Sequence, residues 1–328
     1  MKVIVPLAGK GTRLLPLTKR VPKPLIKVAG RPVMDYVMDA ITGFEIEELL
    51  VITGHLKEQV EDYITTHYRI PARFVEQKTL DGTAGAVNLA RPYVNGPVLI
   101  LFVDTLFEAD LGVIRTVDAD GIIWAKEVAD YQRFGVIVTD QAGYMTRIVE
   151  KPDTPVSRLA NIGLYYIRDW RTLYEGIAHV LNQPRNKGEF YLTDAFQYMI
   201  ERGRRIATAQ VQGWYDCGKV ETLLETNRHL LEHGRARPPS GPCPRCTIRP
   251  PVYIEDGVTI HDATIGPNVS IEKGSYVTES TIVNSILGTN VRVVRSTVTD
   301  SLVGDDQVIE GKSLIRSVLD AGELAPAK

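Results

Sequence analysis

The sequence predicts an α/β protein with an all-β extension: a mixed, mainly parallel sheet with helices on both faces, followed by a parallel β-helix. Three observations point there. Strand-like runs alternate with helical patterns from residue 1 to about 235, a proline-rich stretch follows, and beyond it aliphatic residues recur five or six apart. The alternation argues βαβ units around a sheet. The short aliphatic period argues hexapeptide-type coils, each burying its aliphatic residue against the next.

The first strand is Val3 to Leu7, "VIVPL", a β-branched apolar run suited to burial on both faces. "ELLVIT" at 48–53 precedes a helical pattern from His55, "ARFVEQ" at 72–77 precedes "TAGAVNLA", and "PVLILFV" occupies 97–103. Runs at 121–128, 135–140, 147–150 and 163–167 follow too closely for a crossover helix between each pair, which makes the later part of the sheet mixed. The expected domain is 1–235. Residues 236–251 contain six prolines and few large apolar side chains, which reads as a stiff linker. In 252–320, Ile254, Ile260, Ile265, Ile271, Val277, Ile282, Leu287, Val293, Val298 and Val303 imply about four coils, with 321–328 as a tail. An antiparallel domain would need turns every ~8–12 residues, a poorer fit.

At 328 residues, with 44% hydrophobic and 24% charged residues, the chain can bury a sizeable core. A net charge of -2 gives no basic surface for nucleic acid. No run approaches the roughly 18 apolar residues of a membrane span. Pro6, Lys10 and Arg13 interrupt the opening segment, unlike a signal peptide. These features predict a cytoplasmic protein with no membrane partner. Three cysteines suit a reducing compartment. Cys243 and Cys246 form a CxxC with His229 and His233 upstream at helical spacing, so a zinc site is one reading and two free thiols is the default.

The loop after the first strand reads "AGKGTR" at 8–13. Open α/β sheets bind ligands beyond the carboxyl ends of their strands, and glycines there let backbone N–H groups approach an anion. Neither the dinucleotide fingerprint, which needs glycine at Leu14, nor the P-loop, which needs Gly-Lys-Ser/Thr where the chain has Gly9-Lys10-Gly11, fits this spacing. Taken alone, the loop is either a phosphate cradle or a turn.

Its continuation decides between them. Gly-x-Gly-Thr-Arg-Leu, Pro16, Thr18, "PKPL" at 22–25 and "GRP" at 30–32 are followed in order by "EQKTLDGTAGAV" at 76–87 and "FVDT" at 102–105. Then come "FGVI" at 134–137, "VEKP" at 149–152, "NIGLYYI" at 161–167, "GEFYLTDA" at 188–195 and "WYDCG" at 214–218. The set resembles the sugar-1-phosphate nucleotidylyltransferases of the glucose-1-phosphate thymidylyltransferase and UDP-glucose pyrophosphorylase kind. The resemblance covers the whole first domain and implies a Rossmann-like sheet, with an appended left-handed β-helix in some members. It also implies transfer of a nucleotidyl group from a nucleoside triphosphate to a sugar 1-phosphate.

That chemistry brings two polyanions together, so positioning and charge neutralisation must do most of the catalysis. The resemblance implies Mg²⁺ held by Asp104 and Asp216, in keeping with an ion that takes one or two carboxylates plus substrate oxygens. Arg13 suits the departing pyrophosphate because its planar fork binds phosphate bidentately. Lys23 and Lys151 would supply point charges at the α-phosphate and the sugar phosphate. Leu7, Ala8, Gly9, Gly11, Thr12, Gln77, Gly82 and Thr83 are implied for the nucleotide, and Gly135, Glu150, Asn161 and Glu189 for the sugar. Two departures bear on nucleotide choice: Lys10 stands where many thymidylyltransferases have serine or glycine, and "FVDT" replaces Gly-Asp-Asn/Asp.

The expected reaction is therefore dTTP or UTP with glucose 1-phosphate. Alternatives are another sugar or base (GDP-mannose or UDP-N-acetylglucosamine type) and a non-catalytic nucleotide-sugar sensor. Acyl transfer by the solenoid would rest on His261, in "TIHDAT", which reads as a turn between coils. Stacked coils leave edges that can pair between subunits, predicting a homo-oligomer.

Overall fold

A computed structural model describes Met1–Ala327; Lys328, the last residue of the expected tail, lies outside the described residues. The chain divides into two compact units: residues 1–9 with 37–214, and residues 10–36 with 215–328. This differs from a boundary at 235. Residues 10–36 and 215–235, expected in the first domain, cluster with the β-helix.

In the first unit, β1 (Lys2–Pro6), β2 (Glu48–Thr53), β3 (Ala72–Glu76), β4 (Val98–Leu101), β5 (Gly121–Glu127), β6 (Gly135–Thr139), β7 (Met145–Glu150), β8 (Leu159–Ile167) and β9 (Ile206–Gln210) form one sheet. Its order is β7-β6-β8-β4-β1-β2-β3, with β5 joining β8 to β9. The β4-β1-β2-β3 portion is parallel, and β8 runs antiparallel to β4, β5 and β6. The sheet is thus mixed, as the spacing of the later runs predicts. Adjacent residues such as Val3 and Ile4, Leu49 and Leu50, or Leu99 and Ile100 are all fully buried, so both faces of the parallel portion are covered. On one face Ile4, Leu50, Ile52 and Ile100 share a core with Leu173 and Ile177 of a helix Trp170–Leu181 and Phe196 of a helix Leu192–Glu201.

In the second unit, strands of two to four residues stack into three parallel ladders, giving four complete coils and part of a fifth. The aliphatics spaced five or six apart resolve into three columns, Ile254-Ile271-Leu287-Val303, Ile260-Val277-Val293-Ile309 and Ile265-Ile282-Val298-Leu314. These parallel ladders match the expected left-handed β-helix. Its corners repeat in register: Asn268, Asn284, Asp300 and Arg316 all take left-handed φ, and Asn284 Nδ2 donates to Asp300 Oδ1 at 2.7 Å. Asn and Asp tolerate that conformation better than other non-glycine residues. Part of the expected linker is absorbed: Thr247–Ile248 is the first strand, and Cys243 and Cys246 pack against the core. In the expected tail, Glu323–Pro326 pairs antiparallel with Ser317–Asp320. Among the described residues no helix is long and apolar enough to cross a membrane.

Candidate functional site

Two groups of the expected residues assemble in the first unit. Beyond β1, Leu7 donates its N–H to Ile52 O at 2.7 Å, and Leu7 and Ala8 are buried. A Cβ on Gly54 would lie 2.8 Å from that of Ala8, so only glycine lets the two loops approach this closely. Gln77, also buried, donates Nε2 to Asp81 Oδ1 at 3.0 Å and to Gly82 O at 3.3 Å. Gly82 has φ of 119° and a Cβ there would strike the Phe190 backbone, while Thr83 Oγ1 accepts from Leu192 N at 2.9 Å. The 77–83 segment is therefore seated against 190–192, with Gln77, Gly82 and Thr83 side by side.

The second group surrounds Gly135, the first residue of β6. Asn161 Nδ2 donates to Gly135 O at 2.8 Å, Tyr165 donates its hydroxyl to Asn161 Oδ1, and Thr193 Oγ1 donates to Glu150 Oε2 at 3.0 Å. A Cβ on Gly135 would collide with Asn161 Nδ2 and lie 2.8 Å from Glu150 Oε2. Burial raises the Glu150 carboxyl above the usual range, against the Thr193 bond and the Lys151 charge. Lys151 sits at a left-handed φ of 43°, its ammonium 3.1 Å from the Tyr191 hydroxyl and 4.7 Å from the centre of that ring. Burial opposes its charge, but the Tyr191 bond and the charges of Tyr191, Glu150 and Glu189 outweigh it and raise its pKa. Glu189 itself lies on an exposed turn closed by reciprocal N–H···O bonds with Asn186. Asp104 follows β4 by three residues; burial, then the charges of Glu150 and Asp104, push the Tyr165 phenol up. The sequence reading did not single out Tyr165, Tyr191 and Thr193, although two stretches it quoted, "NIGLYYI" and "GEFYLTDA", contain them.

In the second unit Gly11 adopts φ of 63°, and its carbonyl accepts from Leu14 N and from Thr18 Oγ1, each at 2.9 Å. This bend starts a short turn, Thr12–Leu14, that carries Arg13. Arg13, Lys23 and Asp216 then converge on Gly218. A Cβ built on Gly218 would lie 2.8 Å from Asp216 Oδ1, 3.0 Å from an Arg13 guanidinium nitrogen and 3.4 Å from Lys23 Nζ. Gly218 N donates to Asp216 Oδ1 at 2.7 Å and aims the carboxylate. The three expected charges of this unit therefore meet at one point, around a residue with no side chain.

The remaining candidates are placed differently. Cys243 and Cys246 carry free thiols, and burial, then the neighbouring Cys246, pushes the Cys243 thiol up to about 12. His229 stacks between Tyr215 and His233 at centroid distances of 3.9 and 4.0 Å, forming a column of rings. No group of three or more His, Cys, Asp or Glu residues that could hold a metal ion occurs among the described residues. His261 ends the strand Thr259–His261 rather than lying in a turn; the corner is at Asp262, with φ of 49°.

A family model described as Nucleotidyl transferase matches residues 2–233. The bifunctional protein GlmU of Methanococcus aeolicus is 31% identical over 93% of this chain and 78% of its own length. The UTP–glucose-1-phosphate uridylyltransferase AglF of Haloferax volcanii is 32% identical over 71% of this chain and 97% of its own. A glucose-1-phosphate thymidylyltransferase of Streptomyces griseus is 26% identical over 98% and 88%. A solved UDP-glucose pyrophosphorylase complexed with UDP-glucose superimposes with a TM-score of 0.64 at 26% identity, covering 71% of this chain and 98% of that one. With the family model spanning both the sheet and the segments that carry Arg13, Lys23 and Asp216, the chain belongs to the nucleotidyl transferase family.

Proposed function

We propose that this chain transfers the nucleotidyl group of dTTP or UTP to glucose 1-phosphate, giving dTDP- or UDP-glucose and pyrophosphate. The observation that carries the reading is the convergence of Arg13, Lys23 and Asp216 on Gly218. A guanidinium, an ammonium and a carboxylate around a vacant Cβ position suit a triphosphate and a divalent cation better than an apolar guest. A phosphate oxygen of the sugar attacks the α-phosphorus in line, and the bond to the bridging oxygen of pyrophosphate breaks. Arg13 takes up charge on the departing pyrophosphate and Lys23 steadies the α-phosphate. Lys151, fixed by Tyr191, faces the sugar phosphate, while Asn161, Glu150 and Glu189 take the hydroxyls. Gln77 and the Gly82–Thr83 backbone read the pyrimidine edge, with Leu7 to Gly9, Gly11 and Thr12 lining the nucleotide.

Asp104 and Asp216 offer hard oxygen ligands, the donor chemistry that Mg²⁺ takes. When bound, the ion would neutralise charge on the phosphates. The second reading keeps the reaction and changes the sugar or the base (GDP-mannose or UDP-N-acetylglucosamine type), since the relatives include a GlmU, a uridylyltransferase and a thymidylyltransferase. The two triphosphates differ by a methyl group and a 2′-hydroxyl, and a methyl is worth about 1–3 kcal/mol of discrimination. We also read the β-helix as a homo-oligomer contact, supported by Val308, Ile315 and Leu324, each more than half exposed. A monomeric mass in sedimentation would overturn that part.

The test is pyrophosphate release with Mg²⁺ across dTTP, UTP, GTP, ATP and CTP, each with glucose, mannose or N-acetylglucosamine 1-phosphate. Release that needs both substrates, favours a pyrimidine nucleotide with glucose 1-phosphate and falls at least about 100-fold in Asp104→Asn is expected. No release from any pair, despite nucleotide-sugar binding, would leave a sensor.

A further inference from the structure

The segment carrying Arg13 and Lys23 is tied to the β-helix at several places within the second unit. Lys27 Nζ lies 2.7 Å from Glu272 Oε2, and Glu272 is 1% exposed. Arg20 reaches Asp320, whose side chain is 2% exposed, at 3.5 Å and Asp306 at 3.8 Å, and Lys19 pairs with Glu323 at 2.6 Å. Gly30, with φ of 82°, presses on the Tyr253 ring, where any Cβ would overlap the ring carbons.

The strongest tie runs through Asn227, which is 0% exposed on the helix Val220–Leu230. Its Oδ1 accepts from Ala29 N at 2.9 Å and from Ser270 Oγ at 2.7 Å, and its Nδ2 donates to Asn268 O at 3.3 Å. One side chain thus joins the segment that holds Lys23, the helix that follows Asp216, and a coil of the β-helix. The adjacent Thr226 Oγ1 shares its single proton between Thr222 O at 2.8 Å and Asp216 O at 3.1 Å, which places the Asp216 backbone beside the same helix. A buried amide with three protein partners has little freedom, and losing it leaves a buried N–H, a buried hydroxyl and a part-buried carbonyl without those bonds.

We propose that the β-helix is part of the catalytic scaffold: Asn227 and the Lys27–Glu272 pair are positioning residues that hold Arg13, Lys23 and Asp216 in register at Gly218. The inference rests on the nucleotidyl transfer reading. A solenoid coil contacts only its neighbours and makes a stiff surface, which suits a support for groups whose placement matters to within about half an ångström. Glu272 is the buried end of the anchor, held by the 2.7 Å bond from Lys27; burial raises its carboxyl to about 7, with Lys27 opposing the rise and Glu255 adding to it. Neither Asn227 nor Glu272 touches a reacting group.

The experiment measures pyrophosphate release and backbone hydrogen exchange in the full chain for wild type, Asn227→Ala, Glu272→Gln and Lys27→Met, with Lys27→Arg as the conservative rescue. Misplacing catalytic groups by about 1 Å costs roughly 100-fold. The expected result is a kcat reduced about 10- to 100-fold in Asn227→Ala and several-fold in Glu272→Gln and Lys27→Met, with substrate KM values within about threefold. Lys27→Arg should recover most of the loss. Amides of residues 10–32 should exchange faster in the impaired variants, with the β1–β4 sheet unchanged. If Asn227→Ala does not fold, the Glu272 and Lys27 variants carry the test. A melting temperature that falls while kcat and exchange at 10–32 stay at wild-type values overturns the proposal and leaves a purely structural tie. Wild-type protein that releases no pyrophosphate defeats the transfer reading instead, and the exchange comparison still tests the mechanical coupling.

Discussion

Replacing Gly218 by alanine puts a methyl group where three charges meet. The new carbon would lie 2.8 Å from Asp216 Oδ1, 3.0 Å from an Arg13 nitrogen and 3.4 Å from Lys23 Nζ. Ordinary non-bonded contact is about 3.5 Å, so the carboxylate and guanidinium must each retreat by roughly half an ångström. Arg13 and Lys23 meet the methyl with the ends of flexible side chains, and Gly218 is absent from the positive-φ residues, so the backbone accepts alanine. Where it fits without strain, Gly→Ala stabilises by about 0.4–1 kcal/mol through the unfolded chain, a gain that here offsets the cost of moving the Asp216 carboxylate. Activity and stability should therefore part company. With a 1 Å error costing about 100-fold, half an ångström predicts a kcat loss of roughly tenfold, with Tm unchanged or higher. Steady-state pyrophosphate release and thermal unfolding on one preparation read both. A Gly218→Ala variant with wild-type kcat would show that Arg13, Lys23 and Asp216 do not act from this point, and loss only in step with a lowered Tm would trace the defect to folding.

Gly135→Ala should act on the sugar end: its methyl displaces the Asn161 amide and crowds Glu150, so KM for the sugar phosphate should rise about tenfold, with about 1–3 kcal/mol of overpacking. An unchanged sugar phosphate KM separates Gly135 from that subsite. Glu272 gives a pH signature. Its folded-state pKa, about 7, lies above the unfolded 4.5, so its contribution is fully present below about pH 4.5 and is lost as pH rises through 7. The facing groups are Lys27 and Glu255, with Tyr253 nearby; Lys27 remains charged throughout this window. The shift sets a ceiling of about 3 kcal/mol, so wild type should lose up to that much relative to Glu272→Gln between pH 4.5 and 8. Urea midpoints measured for both proteins at the two pH values check this, and parallel changes would show that Glu272 does not titrate in the window.

The sheet was legible because parallel strands covered on both faces must be apolar at consecutive positions, as "ELLVIT" and "VLIL" are. The β-helix was legible for a similar reason: each coil must place an aliphatic residue inward on each of three faces, which forces the five- or six-residue interval. The ties across the second unit left no such mark. Lys27 and Glu272 are 245 positions apart, and a single lysine or glutamate has no period to reveal a buried partner. Asn227 sits on an amphipathic helix where a polar residue reads as solvent-facing, yet it is fully buried. The convergence on Gly218 was half legible. Motif resemblance supplied Arg13, Lys23 and Asp216, but nothing in "WYDCG" shows that its glycine leaves the space in which they meet.

The ties also explain why residues 10–36 cluster with a solenoid that begins more than 200 residues later. Lys27 is paired beside the second rung of the ladder that contains Ile254, Ile271, Leu287, Val303 and Leu319, and Arg20 reaches Asp320 beside the fifth. At about 4.8 Å per rung the anchors are roughly 14 Å apart along the stack. Seven residues can span that distance with slack, so a single anchor would let the segment pivot. Two anchors, with the Asn227 amide beside one of them, remove that freedom while leaving Arg13 and Lys23 to present their charges at Gly218. Exposed ion pairs such as Lys19–Glu323 add little to stability on their own. Their value here is geometric, because a charge placed half an ångström wrong binds phosphate nearly as well but no longer meets it in the transition state.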